Sequence, residues 1–204
     1  MQSVHRPRRL SSLELLIVLT ILGIFVVLSV GEIREWSRRT RTEEAVRGIA
    51  DIFNGIAANF NEARPDYDAT GLPSHRCPHR DADPLAGEVE PTPPLSIQCT
   101  EGPRSKCTPV MGAELPGTYE LSAWTADPVW LAIGFRHTGG HNFHYSYSYR
   151  NIPTDDGHGS CEFTVRATAD LDGDGEFSVF ERSGYADRTG VRADEGLRIA
   201  NPLE

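Results

Sequence analysis

The sequence lacks the short motifs that mark the common enzyme classes. It contains no G-x-S-x-G nucleophile turn, no H-E-x-x-H zinc pair and no phosphate-binding P-loop. Several histidines lie near one another in the second half of the chain, beside Asp155 and Asp156, but histidines in strands and loops are common without catalysis. We therefore expect a protein that is not an enzyme. These histidines are His137, His141, His144 and His158.

Basic residues are also scarce. The chain has 20 Lys and Arg against 29 Asp and Glu, which gives a formal net charge of −9. Nonspecific binding to nucleic acid requires a basic surface that neutralises phosphates. The arginines of residues 38–47 form the one basic cluster after the N-terminal segment, and they fit the solvated face of a helix. We predict no nucleic-acid partner.

Proline is absent between Glu32 and Glu62. In this stretch apolar residues recur at spacings of three and four, as on one face of an amphipathic helix. Arg64-Pro65 ends the pattern, because the residue before proline is pushed out of helical geometry. The sequence thus predicts a helix over 32–64 with one face against a folded domain. The apolar positions are Ile33, Trp36, Ala45, Val46, Ile49, Ile52, Phe53, Ile56 and Phe60.

Charge is almost missing from residues 10–31, where Glu14 interrupts an apolar run. An acidic residue at the centre of a spanning helix costs roughly 2.5–3.5 kcal/mol, so a simple anchor would not carry one. The run is near the roughly 20 residues that cross a bilayer, and His5 and three arginines precede it. The positive-inside rule then predicts one transmembrane helix, with the N-terminus in the cytoplasm and the rest exported.

This N-terminal pattern resembles that of type IV pilins and the related type II secretion pseudopilins. Residues 1–9 match the basic leader, and the resemblance implies that prepilin peptidase would cut between Arg9 and Leu10. Glu14 falls at the position of the family glutamate, and Gly23 falls where the family has a glycine within the helix. Arg9 departs from the glycine that the family has just before the cut.

The resemblance implies a structural subunit of a pilus-like filament. It implies a prepilin that is inserted in the bacterial inner membrane by a single span, with a cytoplasmic N-terminus, and then assembled into a periplasmic or extracellular filament. The amine of Leu10 would be methylated, and Glu14 would pair with the amino terminus of a neighbouring subunit. The implied partners are homologous pilin subunits, prepilin peptidase and the inner membrane. The alternatives are a secretion pseudopilin and a membrane-anchored binding or adhesin domain that does not polymerise.

Four cysteines agree with export, because disulfides form and persist outside the cytoplasm. Cys77, Cys99, Cys107 and Cys161 allow three pairings, and sequence alone does not choose among them. Short separation favours Cys99–Cys107 as a local loop, which leaves Cys77 to reach Cys161. A zinc site that uses Cys77 with its neighbours His75 and His79 is an alternative.

The remaining chain divides into two regions. Residues 65–118 are rich in Pro, Gly, Asp and Ser, and we interpret them as a loop region held by disulfides. Residues 119–204 contain strand patterns, of which 142–149 alternates most strictly and places Phe143, Tyr145, Tyr147 and Tyr149 on one face. The other predicted strands are 119–124, 130–135, 161–169 and 177–182.

These elements predict an α+β fold. A long N-terminal helix, transmembrane in its first half, would pack through its second half on an antiparallel sheet of about four strands, as in pilins. The aromatic face of 142–149 and the stripe of Ile49, Ile52, Phe53 and Ile56 would form the interface.

An acidic segment at the end of this region carries metal-binding chemistry. Residues 170–181 read DLDGDGEFSVFE and fit the pattern D-x-[DN]-x-[DN]-G-x₅-E. Calcium takes six to eight hard oxygen ligands, which alternate aspartates supply. Because both flanks show strand patterns, we predict a calcium loop between two strands; a metal-free hairpin turn is the alternative. The predicted ligands are Asp170, Asp172, Asp174, Glu176 and Glu181.

Overall fold

The computed structural model describes residues 11–64, 71–194 and 196–202, and it describes the backbone but not the side chains of residues 27–40. The chain divides into two units, Met1–Thr40 and Arg41–Glu204. Helix α1 covers Ser12–Asn61, so its first part belongs to the first unit and its second part to the second unit. All strands of the described residues lie in the second unit.

The prediction of a transmembrane first half is wrong for the part of the chain that the structure describes. No helix there is long and apolar enough to span a bilayer. The large apolar side chains described in the first part of α1 run from Leu13 to Val26, which is shorter than the roughly 20 residues that a bilayer requires. The expected location, a single-pass position in the bacterial inner membrane, loses its support with this finding.

The second part of α1 has the expected amphipathic character. Ile49, Ile52 and Ile56 are at most 1% exposed, and Phe60 is equally buried. Phe53 is only partly buried and packs against Phe163 of the sheet, with 5.0 Å between the ring centroids. The predicted stripe therefore does face the folded domain.

The main sheet has six strands, where about four were predicted. Its three central strands are β4 (His144–Ile152), β5 (Ser160–Ala169) and β6 (Ser178–Asp187), which lie where the alternation predicted strands. The additional strands are β1 (Ala86–Thr92), β7 (Gly190–Ala193) and β8 (Arg198–Ala200). The order is β1-β4-β5-β6-β7, β8 also pairs with β6, and all pairs are antiparallel.

The extra strands escaped prediction because they are peripheral. Strand β1 lies within 65–118 and shifts register against β4 between Val89 and Thr92, which breaks its alternation. Strands β7 and β8 are short and bury no residue completely, so hydrophobic pattern does not mark them. A separate parallel pair joins β2 (Thr108–Val110) to β3 (Thr118–Glu120), and a short 3-10 helix covers Cys99–Glu101.

Between β3 and β4 the structure has two short helices where strands were predicted. Helix α2 covers Ser122–Thr125 and helix α3 covers Pro128–Ile133. Helix α3 begins with an Asp127 cap followed by proline and ends at Gly134, whose φ of 74° suits glycine. The capping residue, the proline and the glycine therefore favour a helix more strongly than the apolar and β-branched residues of 129–135 favour a strand. The prediction of a strand over 130–135 is wrong.

The aromatic face of β4 packs inward as predicted. Phe143, Tyr145, Tyr147 and Tyr149 are all at most 4% exposed. Tyr145 crosses α1 at Gly48, where a Cβ atom would lie 2.6 Å from the tyrosine Cε1. This glycine therefore lets the helix and the sheet approach closely, and the four aromatic side chains belong to the core.

Candidate functional site

The acidic loop connects β5 to β6 and gathers three carboxylates. Asp170 accepts hydrogen bonds from Gly173 N at 2.6 Å and from Gly175 N at 3.0 Å, and these bonds curl the loop back on its first residue. Asp174 accepts from Glu176 N at 2.8 Å. Oxygen atoms of Asp170, Asp172 and Asp174 all lie within 4.8 Å of one another.

Of the other two predicted ligands, Glu176 lies within the loop, where the expected ligand is its backbone carbonyl, and Glu181 lies outside the loop. Glu181 is within β6, and its Oε2 accepts from Arg166 Nε at 2.9 Å and from Arg166 Nη2 at 2.6 Å. Arg198 approaches the other oxygen of Glu181 at 3.9 Å. The carboxylate of Glu181 is thus engaged by cations of neighbouring strands, and the side chain of Glu176 is not part of the three-residue cluster. The loop offers three carboxylates rather than four.

The loop is anchored from two sides. The Leu171 side chain is 5% exposed, and its carbonyl oxygen accepts from Arg41 Nη1 of α1 at 2.8 Å. Asp170 and Gly175 also line a cavity of about 70 Å³ together with Thr100 and His144. Hard oxygen ligands on an anchored loop suit a calcium-type cation better than a soft metal.

Both disulfides join the pairs that short separation favoured. Cys99 is bonded to Cys107, and Cys77 is bonded to Cys161 of β5. A cysteine in a disulfide cannot act as a thiolate ligand, so the zinc alternative at Cys77 is wrong. The same argument removes the cluster of Cys99, Cys107 and His144 as a metal site.

The histidines that suggested a catalytic cluster are distributed over separate environments. His141 is 1% exposed; its Nε2 lies 2.6 Å from the Tyr119 hydroxyl, and its Nδ1 lies 2.8 Å from Phe143 O. His137 stacks on it with centroids 4.3 Å apart. Burial lowers the pKa of His141 to about 2 and that of His137 to about 4. The neutral His141 ring is a core group, and His137 is half-buried beside it.

The two remaining histidines of that set lie apart from this stack. His144 is 3% exposed and contacts Pro93 O through Nδ1 at 2.7 Å. His158 stacks on His75 with centroids 4.0 Å apart and planes inclined by 7°. Asp156 accepts from His158 N and pairs with Arg188 at 2.7 Å, which occupies its carboxylate. His158 and Asp156 line one cavity of about 400 Å³ together with Arg188, which already pairs with the Asp156 carboxylate. His144 and Asp170 line the small cavity beside the acidic loop.

Glu14 has a local role that the sequence analysis missed. Its Oε2 accepts from Ser11 N at 2.8 Å, and Glu14 N donates to Ser11 Oγ at 3.3 Å. This reciprocal pair is a capping box, which satisfies two free donors at the start of α1. The signal was present as S-x-x-E before an apolar run. The charge of Glu14 is therefore explained in part without a second chain.

The proposed processing site, Arg9 and Leu10, lies outside the described residues, as does the leader 1–9. Comparison with known proteins gives no further guide: no family model, no curated protein and no solved structure matches this chain. Function must be argued from the chain itself.

Proposed function

We propose that this chain is a structural subunit of a type IV pilus-like filament, whose copies associate through the beginning of α1. The observation that supports this proposal is the exposure of that segment. Every large apolar side chain between Leu13 and Val26 is exposed, from 47% at Val18 to 71% at Leu13. A soluble monomer rarely leaves such a continuous apolar surface uncovered.

Because the apolar side chains are exposed on all sides of the helix, packing against several neighbouring helices is favoured over packing against a single one. A helix that docks on one partner has an apolar stripe and a polar opposite face. Here consecutive residues such as Leu15, Leu16 and Ile17 are apolar and point in different directions. Covering all sides stabilises the assembly by roughly 25 cal/mol for each Å² of apolar surface buried. A bundle of equivalent helices from other copies meets this need.

In this proposal prepilin peptidase cuts between Arg9 and Leu10 and thereby creates a free amine. Glu14 then pairs with the Leu10 amine of a neighbouring copy and sets the axial register. The capping box does not prevent this, because a carboxylate accepts about four hydrogen bonds and Ser11 N uses one. Such a pair is shielded from water in a bundle, so the loss of one partner is strongly destabilising.

Substitutions at Glu14 separate capping from ion pairing. Glutamine keeps the capping box but carries no charge, whereas alanine loses both. We expect Glu14→Gln and Glu14→Ala each to reduce assembly at least tenfold, while Ser11→Ala, which weakens the cap and keeps the charge, has a small effect. The full chain is co-expressed with a prepilin peptidase, and filaments are quantified by sedimentation and electron microscopy.

Mass spectrometry of the mature N-terminus is measured on the same material. The proposal requires a chain that starts at methylated Leu10 in all three variants and in the parent. Assembly of Glu14→Gln at the parent level would assign Glu14 to capping alone and remove the register mechanism. A chain that keeps Met1 and stays monomeric would support a non-polymerising binding domain instead.

A secretion pseudopilin uses the same assembly chemistry and differs in what the filament does. Deletion of the gene in the source organism distinguishes the two functions. Loss of surface filaments supports the pilus, and loss of secreted enzymes with unchanged surface filaments supports the pseudopilin.

We also propose that the acidic loop binds calcium through Asp170, Asp172 and Asp174. Three oxygens within 4.8 Å of one another repel unless a cation lies between them. A ligand that binds only the folded state stabilises it by RT ln(1 + [L]/Kd), about 2.7 kcal/mol at a hundredfold excess over Kd. We expect millimolar calcium to raise the melting temperature of the full chain by several degrees, with a smaller effect of magnesium.

The variant Asp172→Asn tests this prediction by differential scanning calorimetry. It removes one carboxylate from the cluster and is expected to abolish most of the calcium-dependent shift. Asp155→Asn removes an exposed carboxylate away from the loop and serves as the matched control. Equal calcium shifts in both variants would assign the effect to weak surface binding and contradict the site.

A further inference from the structure

The outward face of the main sheet carries a groove that the filament proposal does not use. It spans β4, β5, β6 and β7, opposite the face that packs on α1, and has a volume of about 500 Å³. Its floor consists of Ser148, Thr164 and Ser183, which are directly opposed in the strand register. Because these three side chains are small and lie in one row across the strands, they leave an open space above the sheet. The longer side chains around them form the walls of the groove.

The floor presents a line of hydroxyl groups. Neighbouring strands lie about 4.8 Å apart, so the three residues repeat at that spacing across the sheet. Thr164 Oγ1 and Ser183 Oγ lie 2.9 Å from each other. Each hydroxyl is both a donor and an acceptor. The floor can therefore exchange hydrogen bonds with a ligand that itself carries many hydroxyls.

The walls of the groove are charged but balanced. Arg150 donates to Glu162 Oε2 from Nε at 3.1 Å and from Nη2 at 2.6 Å. Arg192 donates to Asp187 Oδ2 at 2.8 Å. Asp187 lies outside the lining, and the lining itself contains two arginines with the two acids Glu162 and Asp194, so it attracts neither a phosphate nor a cation strongly. This charge balance favours a neutral ligand.

Tyr185 supplies the aromatic surface of the wall. Its ring is half-buried, and the Arg192 guanidinium lies 5.3 Å from the ring centroid. Ligand sites combine an aromatic surface with a few placed polar groups in a concave site. An aromatic ring beside hydroxyls and paired charged groups suits the C–H face and the ring hydroxyls of a sugar.

We propose that this groove binds a neutral saccharide, which stacks on Tyr185 and exchanges hydrogen bonds with Ser148, Thr164 and Ser183. The binding is independent of filament assembly. In the full chain, the probe is a panel of immobilised neutral glycans built from glucose, galactose, mannose and N-acetylglucosamine, with tetragalacturonate as an anionic comparison. We expect saturable binding to at least one neutral glycan and weaker binding to tetragalacturonate.

Variants locate the binding. Tyr185→Ala removes the ring and Thr164→Ile fills the floor with an apolar side chain that suits a strand, and each is expected to weaken binding at least tenfold. Tyr185→Phe keeps the ring and is expected to stay within about threefold of the parent. Arg198→Ala, outside the groove lining, is the control, and thermal unfolding of each variant confirms folding.

Three results would overturn the proposal. One is the absence of saturable binding to every neutral glycan of the panel. The other is parent-like binding by folded Thr164→Ile and Tyr185→Ala, which would place the sugar elsewhere. A preference for tetragalacturonate would equally contradict the argument from charge balance.

Discussion

Gly55 shows how one missing side chain allows two helices to meet. It lies in the second part of α1, beneath the end of α3, and a Cβ atom there would overlap the backbone carbonyl oxygen of Ile133 and lie 2.8 Å from its Cγ2. A backbone oxygen cannot move aside as a flexible side chain does. The sequence gives no hint of this role, because glycine in a helical pattern is usually a weakness.

Gly55→Ala is therefore expected to destabilise the protein, although alanine favours helix by about 1 kcal/mol elsewhere. Overpacking typically costs about 1–3 kcal/mol, and we expect a net loss of about 1–2 kcal/mol in the free energy of unfolding. Gly23→Ala is the matched control, since a Cβ atom at Gly23 meets nothing within 4 Å. Urea denaturation at neutral pH measures both. Equal stability of the two variants would contradict tight packing at Gly55.

Among the elements, α3 depends on the residue that caps its N-terminus. Asp127 Oδ1 accepts from Val129 N at 2.8 Å and from Trp130 N at 3.2 Å. Its other oxygen accepts from Arg80 Nη2 at 2.7 Å. One carboxylate thus caps the helix and binds the 71–85 segment to it. The cap also holds Trp130, which is fully buried.

Asp127→Ala is expected to cost about 1–2 kcal/mol, the sum of a lost cap and a partly exposed ion pair. Asp127→Asn keeps a capping oxygen and loses only the ion pair, so we expect a loss below about 1 kcal/mol. Thermal unfolding of both variants and of Arg80→Ala apportions the effect. If asparagine and alanine were equally destabilising, the ion pair would be the main contribution and the cap a minor one.

At the scale of the whole molecule, the spacing of hydrophobic residues predicted the helix and strands that bury one face in the core, and it did not predict the peripheral strands. The stripe of α1 and strands β4, β5 and β6 follow from spacing, because burial of one face imposes the pattern. Strands β7 and β8 pair through backbone groups that any side chain can accompany. The groove on the outer face unites Ser148, Thr164 and Ser183 from three strands, and only the register brings them together.

The stability of the second unit is expected to depend on pH through its buried histidines. In the folded state burial lowers the pKa of His137 to about 4 and of His141 to about 2, against 6.5 when unfolded. Below pH 6.5 the unfolded chain binds protons that the folded chain does not. Stability is therefore complete above pH 6.5 and is lost as pH falls, by up to about 1.4 kcal/mol per pH unit for each histidine.

His137→Phe tests this linkage. It keeps a flat ring in the stack with His141 and removes one titrating group, and the Nε2 of His137 has no hydrogen-bond partner among the described residues. Urea denaturation between pH 7.5 and 5.0 is expected to show that the free energy of unfolding falls less steeply with pH in the variant. The difference in slope is expected to be up to about 1.4 kcal/mol per pH unit, the contribution of one histidine. Carboxylates that also titrate in acid, such as Asp156 and Asp187, are unchanged and cancel in the comparison. An identical pH slope in both proteins would mean that His137 takes up its proton as readily in the folded state as in the unfolded state, and that it contributes nothing to the loss of stability in acid.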